Sequence, residues 1–477
     1  MQRNYIANAP VLSSSGLTIA VIDPSDGQVF DHLQRSHAGD IDDAVRAARQ
    51  CMNAVWSKLS AAERGRLLMR LSAKVAEHVD ELAAIEQRDC GKPTRQARAD
   101  ALALVRYFEF YAGACDKLHG ETLPYLDGYS VLTWREPHGV TGHIIPWNYP
   151  MQIFGRSVGG ALAAGNVCVV KPAEDACLSL LRVAQLAAEV GFPAGAINIV
   201  TGYGHEVGDA LARHPGIDHI SFTGSTGVGT LIQQVAAERH CPVTLELGGK
   251  SPQIVFADAD LDAAIPSVIN AIVQNAGQTC SAGSRLLVDQ AIYEPLLARL
   301  GDAFAKLRVG PAAMDLEVGP LIRQSQLQRV WDFLSDAQVA DIPMVAQGYI
   351  VDEAPETGFY QVPTLLRDVP VAHRLAQEEV FGPVLAAMSF RDEDHAVELA
   401  NATRFGLVAG VWTRDGARQL RMARRVKSGQ VFVNNYGAGG GVELPFGGVR
   451  SSGHGREKGF EALYGFTTLK TVAIHHG

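Results

Sequence analysis

Short apolar runs alternating with helix-patterned stretches constrain the fold of this chain more than any other feature. From about residue 139 the runs fall at 167–170, 197–200, 219–222, 243–247 and 254–256, each closed by a polar or glycine-rich turn. Strands alternating with helices at this spacing predict an α/β fold built on a mainly parallel, doubly wound sheet. Ligands of such sheets bind beyond the carboxyl ends of the strands. Residues from about 260 to 430 repeat the alternation less regularly and read as a second α/β domain. Helices are expected to dominate the first hundred residues. Ile41, Ala44, Val45, Ala48, Met52, Val55 and Trp56 share one helical face behind Asp40 as N-cap. Ser60 to Glu63 has the capping-box form, and Leu67, Leu71, Val75, Val79, Leu82 and Ile85 continue an apolar stripe until Gly91 and Pro93 stop it.

The 477 residues are 47% hydrophobic and 19% charged, enough apolar material for several packed units of roughly 100–200 residues each. Disorder is excluded on the same ground. Lys plus Arg number 42 against 51 Asp plus Glu, a formal charge of −9, so no global attraction to nucleic acid or an anionic membrane is expected. Seven scattered cysteines without a C-x-x-C pair indicate neither a disulfide framework nor a zinc site. With no signal-like N-terminus or long uncharged run, the expectation is a soluble, cytoplasmic protein without metal. The 48 glycines follow no fixed period and imply either many turns or close backbone approach to a ligand.

Three residues stand out chemically. Cys280 lies among Asn275, Gly277, Gln278, Thr279 and Ser281, polar neighbours that suggest a loop or helix start able to stabilise a thiolate, whereas a lone cysteine is ordinarily a buried small hydrophobe. Glu246, between Leu245 and Leu247, reads either as a solvated carboxylate paired with Lys250 or as a partly buried general base of raised pKa. Asn148, between Pro146 and Pro150, is either a turn residue or a rigidly held amide facing a developing oxyanion. Lys171-Pro172-Ala173-Glu174 and Phe222-Thr223-Gly224-Ser225 each follow a strand. They supply a cation, a carboxylate and a helix N-terminus, the parts of a dinucleotide site. No G-x-G-x-x-G supports them, because Gly202, Gly204 and Gly208 miss its spacing.

These segments, in this order, with Glu246-Leu247-Gly248-Gly249-Lys250, Gly277-Gln278-Thr279-Cys280, Glu378 to Pro383 and Pro445 to Gly448, resemble the NAD(P)-dependent aldehyde dehydrogenase superfamily over essentially the whole chain. The resemblance implies a Rossmann-like cofactor domain (1–118 and 139–248), an α/β catalytic domain (249–445) and a small β oligomerisation element (119–138 and 446–477), assembled as a homodimer or homotetramer. It implies NAD-dependent oxidation of an aldehyde to its acid. Cys280 would be the nucleophile, Asn148 with the Cys280 N–H the oxyanion site, and Glu246 the base that hydrolyses the thioester. Cofactor contacts would come from Trp147, Lys171, Glu174, Gly224, Ser225, Leu247, Gly248, Glu379 and Phe381. Within that set the resemblance gives Lys171 and Glu174 the adenosine ribose, Ser225 the pyrophosphate, and Glu379 with Phe381 the nicotinamide ribose and ring. The Glu174 carboxylate would repel a 2′-phosphate, which favours NAD over NADP and leaves dual use open. Relatives that transfer the acyl group to coenzyme A usually lack the base at Glu246, so hydrolysis is the expected release step.

The substrate tunnel implied by the resemblance involves Tyr149, Arg156, Gln274 and Phe446. Arg156 and Gln274 replace the aromatics of a quaternary-ammonium box, which disfavours betaine aldehyde. Arg156 matches one of two arginines that hold a distal carboxylate in succinic-semialdehyde enzymes, Gln274 does not match the other, and Arg156 read structurally would be ion-paired. Ser281 to Leu286 resembles aminoaldehyde enzymes instead. The glycine-rich tract 437–441 predicts an open or mobile tunnel mouth. The aldehyde itself stays open, as do two other readings of the residues, a cofactor-independent thiol esterase and a catalytically silent binding protein.

Overall fold

The structure is a computed structural model that describes residues 1–437 and 441–477; the centre of the glycine tract, 438–440, lies outside the described residues. The larger sheet has eight strands in the order Ala9–Val11, Asn4–Ile6, Ile197–Ile199, Val167–Pro172, Val140–Ile145, His219–Thr223, Val243–Glu246 and Gly453–His454. The five central strands are parallel. They run third, second, first, fourth, fifth in chain order, so the winding reverses between Val140–Ile145 and His219–Thr223. That reversal opens a crevice at the carboxyl ends of those two strands. Their side chains are buried nearly throughout, as expected for a sheet covered by helices on both faces.

The run at 254–256 does not continue this sheet. Pro252–Val255 opens a second, seven-stranded sheet, ordered Met344–Gln347, Thr364–Leu366, Val384–Phe390, Arg285–Asp289, Pro252–Val255, Val408–Trp412 and Gln430–Val433. Only the Met344–Gln347 edge is antiparallel. Each sheet has its own buried apolar cluster, one centred on residues such as Phe108, Phe154 and Leu162, the other on Leu286, Phe304 and Phe333.

The first 37 residues differ from the helical expectation. They form four short strands, including the hairpin Thr18–Ile22 with Val29–Gln34, and the helices begin only at Ala38–Ala54. Asp40 is not the N-cap of that helix. His37 caps it, its Nδ1 accepting from the Gly39 N–H, while the Asp40 carboxylate accepts from the His37 N–H at 2.9 Å. The apolar stripe at 67–85 spans two helices, Ala61–Glu77 and Val79–Cys90, because His78 leaves helical geometry; Gly91 ends the second with φ 74°.

The segments 119–138 and 446–477 pair through Tyr129–Pro137 and Thr467–His475, joined by Thr122–Leu123 in a three-stranded antiparallel sheet. Residues 446–477 are not all one element, since Gly453–His454 ladders onto Leu245 and Glu246 of the large sheet. Among the described residues no helix is long and apolar enough to cross a membrane.

The Ser60 box is present, with Ser60 Oγ accepting from the Glu63 N–H (3.3 Å) and Glu63 Oε2 accepting from the Ser60 N–H (2.8 Å). Replacing Ser60 with Ala should cost about 1 kcal/mol, read as a lower urea midpoint at unchanged slope.

Candidate active site

Pro146, Trp147 and Asn148 follow the strand Val140–Ile145, and Gly224 and Ser225 follow His219–Thr223, so both loops open at the topological reversal. A cavity of about 320 Å³ lies there, walled by Trp147, Gly224, Ser225, Gly248, Glu379 and Phe381 together with Asn148, Glu246 and Cys280. Ser225 caps the helix Thr226–Ala237, whose first-turn N–H groups carry the positive end of the helix dipole. The Gly249 N–H donates to Glu379 Oε1 at 3.2 Å, and a Cβ on Gly248 would stand 2.5 Å from Glu379 Oε2, so a larger residue there would displace this carboxylate. Burial pushes the Glu379 carboxyl up to about 7. Phe381, in left-handed geometry at φ 60°, meets Trp147 edge-on at 5.4 Å. Gln326 donates to the Phe381 carbonyl at 2.7 Å and Arg329 to the Val380 carbonyl at 3.3 Å, two supports that no motif marked.

Three residues of the expected cofactor set lie outside this wall. Lys171 and Glu174 are paired to each other at 2.7 Å. Burial pushes the Glu174 carboxyl up, but the Lys171 ammonium outweighs it and holds the group below its ordinary value. The Leu247 side chain packs against Gly229 of the capped helix. The remaining parts fit a dinucleotide: a helix N-terminus suits phosphate, a buried carboxylate suits hydroxyls, and an aromatic pair suits a planar ring.

A second, smaller chamber adjoins the first. Tyr149, Arg156, Gln274 and Phe446 all line it, and Asn148 and Cys280 belong to both walls. Cys280 therefore stands where the two spaces meet. No helix begins at Cys280, contrary to one of the sequence expectations. Asn275, Ala276 and Gly277 turn through left-handed geometry (φ 49°, 53° and 75°) before Cys280, and the chain then enters the strand Arg285–Asp289. Three consecutive left-handed residues, one of them alanine, are strained and need external support. Asn275 Nδ2 supplies part of it by donating to the Asn148 carbonyl at 3.0 Å. Asn148 Nδ2 in turn donates to the Gln278 carbonyl at 3.0 Å, which uses one of its two N–H groups, and Tyr149 Oη bonds Thr279 Oγ1 at 2.8 Å. Burial pushes the Cys280 thiol up to about 11, against the pull of the Arg156 guanidinium.

Glu246 is buried, 2% exposed, and the pairing with Lys250 does not form. Neither carboxylate oxygen of Glu246 nor Lys250 Nζ has a hydrogen-bond partner among the described residues. Burial and then the nearby Glu457 carboxylate raise the Glu246 pKa well above its ordinary value, with Arg156 opposing. Arg156 is itself ion-paired, Nε to Glu457 Oε2 at 2.5 Å, and its guanidinium lies 4.9 Å from the Phe446 ring centre. Ser221 Oγ donates to the other Glu457 oxygen at 2.8 Å. Beneath Tyr149 the buried Lys92 ammonium bonds Glu86 (2.8 Å) and Asp100, and Gln152 donates to Asp100. None of Lys92, Glu86, Asp100, Glu457 or Lys458 was singled out from the sequence, because a charged residue shows its burial only once its neighbours in space are known.

The family model described as "Aldehyde dehydrogenase family" matches residues 11–472. The chain belongs to the aldehyde dehydrogenase family. It is 40% identical to an aldehyde dehydrogenase of Emericella nidulans over 475 residues, covering 99% of this chain and 95% of that one. A Burkholderia cenocepacia crystal structure provisionally named an aldehyde dehydrogenase superposes with a TM-score of 0.99 at 73% identity, covering 100% of both chains. The NAD+ complex of an aldehyde dehydrogenase from Bacillus cereus superposes at 0.96 with 38% identity, covering 99% of this chain and 96% of that one. The enzyme is an oxidoreductase acting on the aldehyde group.

Two outcomes follow for the enzyme without ligands. A thiol raised to about 11 is neutral at pH 7, so the rate of Cys280 alkylation by iodoacetamide should climb about tenfold per pH unit between 7 and 9. A plateau below pH 8 would contradict the raised thiol. Gly277→Ala would set a Cβ against the Gly382 backbone at φ 75°, and should lower both activity and melting temperature.

Proposed function

We propose that the enzyme oxidises an aldehyde to its carboxylic acid with NAD through a covalent intermediate on Cys280. The observation that carries this reading is that Cys280 lines both the large cavity and the small chamber, so one residue stands between a cofactor-sized and a substrate-sized space. The minor fraction of Cys280 that has released its thiol proton to solvent adds as thiolate to the aldehyde carbon, and the carbonyl electron pair becomes an oxyanion held by the second N–H of the Asn148 amide and the Cys280 N–H. NAD held by Trp147, Ser225, Glu379 and Phe381 would supply the hydride acceptor needed to take the Cys280 adduct to a thioester. Glu246 then takes a proton from water as the water attacks the thioester carbon; the C–S bond breaks, the acid leaves and the thiolate is restored. The raised pKa of Glu246 makes it a stronger base once ionised.

In this reading Trp147, Gly224, Ser225, Gly248, Glu379 and Phe381 bind NAD directly. Lys171 and Glu174, with Leu247 packing behind the capped helix, complete the adenosine end, and the Glu174 carboxylate selects NAD over NADP. Residues 1–118 and 139–248 form the cofactor domain, 249–445 the catalytic domain, and 119–138 with most of 446–477 the oligomerisation element of a homodimer or homotetramer. The exposed Trp134, Leu469 and Ile474 on the three-stranded sheet support that assembly. Seven free cysteines support a reducing, cytoplasmic setting.

NADH formation, followed by its absorbance with a panel of aldehydes, tests the reading. Cys280→Ala should abolish turnover. Glu246→Gln should slow steady-state turnover about 10²–10⁴-fold while retaining a burst of up to one NADH per active site. No NADH from the native enzyme on any aldehyde would refute it.

A further inference from the structure

The helix Pro150–Ala163 starts two residues after Asn148, and its cap residue Tyr149 gives no side-chain hydrogen bond to the free N–H groups of the first turn. One of those groups is met from outside the helix, where the Met151 N–H donates to Glu86 Oε2 at 3.4 Å. Glu86 belongs to the helix Val79–Cys90 and is fully buried. Its carboxylate also accepts from Lys92 Nζ at 2.8 Å and from Ser179 Oγ at 3.3 Å. Lys92 bonds Asp100 as well, and its ammonium stands 4.2 Å from the centre of the Tyr149 ring. Asp100 accepts from the Gln152 amide, and Cys90 Sγ donates to the Trp147 carbonyl at 3.2 Å.

Residues 147, 149, 151 and 152 are thus each held by one buried patch made of Glu86, Cys90, Lys92 and Asp100. Asn148 faces the other way, its amide bonded to the Gln278 carbonyl and its carbonyl to the Asn275 amide. Tyr149 shows the coupling in one side chain, with its ring on Lys92 and its hydroxyl on Thr279 Oγ1. Stability is a poor reason for such a patch, because a buried ion triad is often no more stabilising than apolar residues of the same volume. What it supplies is geometry. A donor aimed at an oxyanion works only at its proper distance, and a displacement of about 1 Å can cost about 100-fold in rate.

We infer that Lys92, together with Glu86 and Asp100, is the positioning residue that sets the Asn148 amide at the oxyanion site. This rests on the aldehyde-oxidation reading above. Lys92 lines neither the large cavity nor the small chamber, so it acts through the segment 147–152 and not on the substrate or cofactor.

The test is a double-mutant cycle on kcat for one aldehyde, measured well below the melting temperature of each variant. Lys92→Met should lower kcat about 10–100-fold with the aldehyde KM within about twofold, as expected when an interaction of the transition state is weakened. Asn148→Ala should lower kcat about 10²–10³-fold, and the double variant should lose little beyond that. Lys92→Met leaves two buried carboxylates unmatched, so Lys92→Met/Glu86→Gln/Asp100→Asn is measured beside it. That variant buries no lone charge, keeps acceptors for Met151 and Gln152, and should show a loss that likewise disappears in the Asn148→Ala background. Should neither fold, Cys90→Ala decides, since it removes one contact and no charge: a severalfold lower kcat supports the role, and a native kcat overturns it. Losses that multiply with that of Asn148→Ala, or a native kcat in both Lys92 variants, would overturn the positioning role while leaving aldehyde oxidation standing. Absence of NADH from the native enzyme on any aldehyde would overturn both.

Discussion

The site depends on a buried hydrogen-bonded seam between the two sheets. Asn148 comes from the eight-stranded sheet and Gln278 from the turn that leads into the seven-stranded one. The Asn148 amide donates to the Gln278 carbonyl, and the Asn275 amide returns the contact to the Asn148 carbonyl. Gln278 is anchored further by the Ile322 N–H on its Oε1 at 2.9 Å. Each such bond contributes about 1 kcal/mol net, but losing one partner leaves a buried polar group unpaired at a cost of about 1–3 kcal/mol. That asymmetry locks the seam, and with it the distance between the sulfur and the amide. It also holds the left-handed turn at 275–277, which has no local reason to persist at Ala276.

Buried charge is the second organising constraint. Lys92, Glu86 and Asp100 form a buried cluster under the loop that carries Asn148 and Tyr149, and the Lys92 ammonium faces the Tyr149 ring at 4.2 Å. Burial raises the Glu86 carboxyl to about 7 although Lys92 pulls it down. Removing the ammonium would leave two buried carboxylates without their counter-charge, so the cluster stands or falls as a unit. Arg156 and Glu457 do the same on the other side of the chamber. Glu246 lies beside that pair without a hydrogen bond of its own, and the Glu457 charge adds to burial in making it a basic carboxylate.

Sequence patterning accounts for much of this arrangement because its signals are local. The runs at 167–170, 197–200, 219–222 and 243–247 correspond closely to parallel strands, since β-branched apolar residues closed by turns have few alternatives. The Ser60 capping box and the Gly91 stop are equally local. The strands Asn4–Ile6 and Ala9–Val11 are too short at three residues to carry a periodicity, and His37 was not legible as a cap because histidine is not among the usual capping residues. The run at 254–256 was legible as a strand and illegible as to its sheet, because a single strand carries no mark of its neighbours.

By itself, the sequence determined the α/β alternation, the candidate roles of Cys280, Glu246 and Asn148, and the family, since these rest on residue types and their order along the chain. Tertiary structure alone decided that Cys280 borders both cavities, that Lys250 does not pair with Glu246, that Arg156 is matched by Glu457, and that Lys458 faces the small chamber. The physical reason is the range of the interactions. Hydrogen-bonded strands and helices are set by residues a few positions apart. The state of a buried charge is set by neighbours such as Arg156 and Glu457, 301 positions apart in sequence and 2.5 Å apart in space.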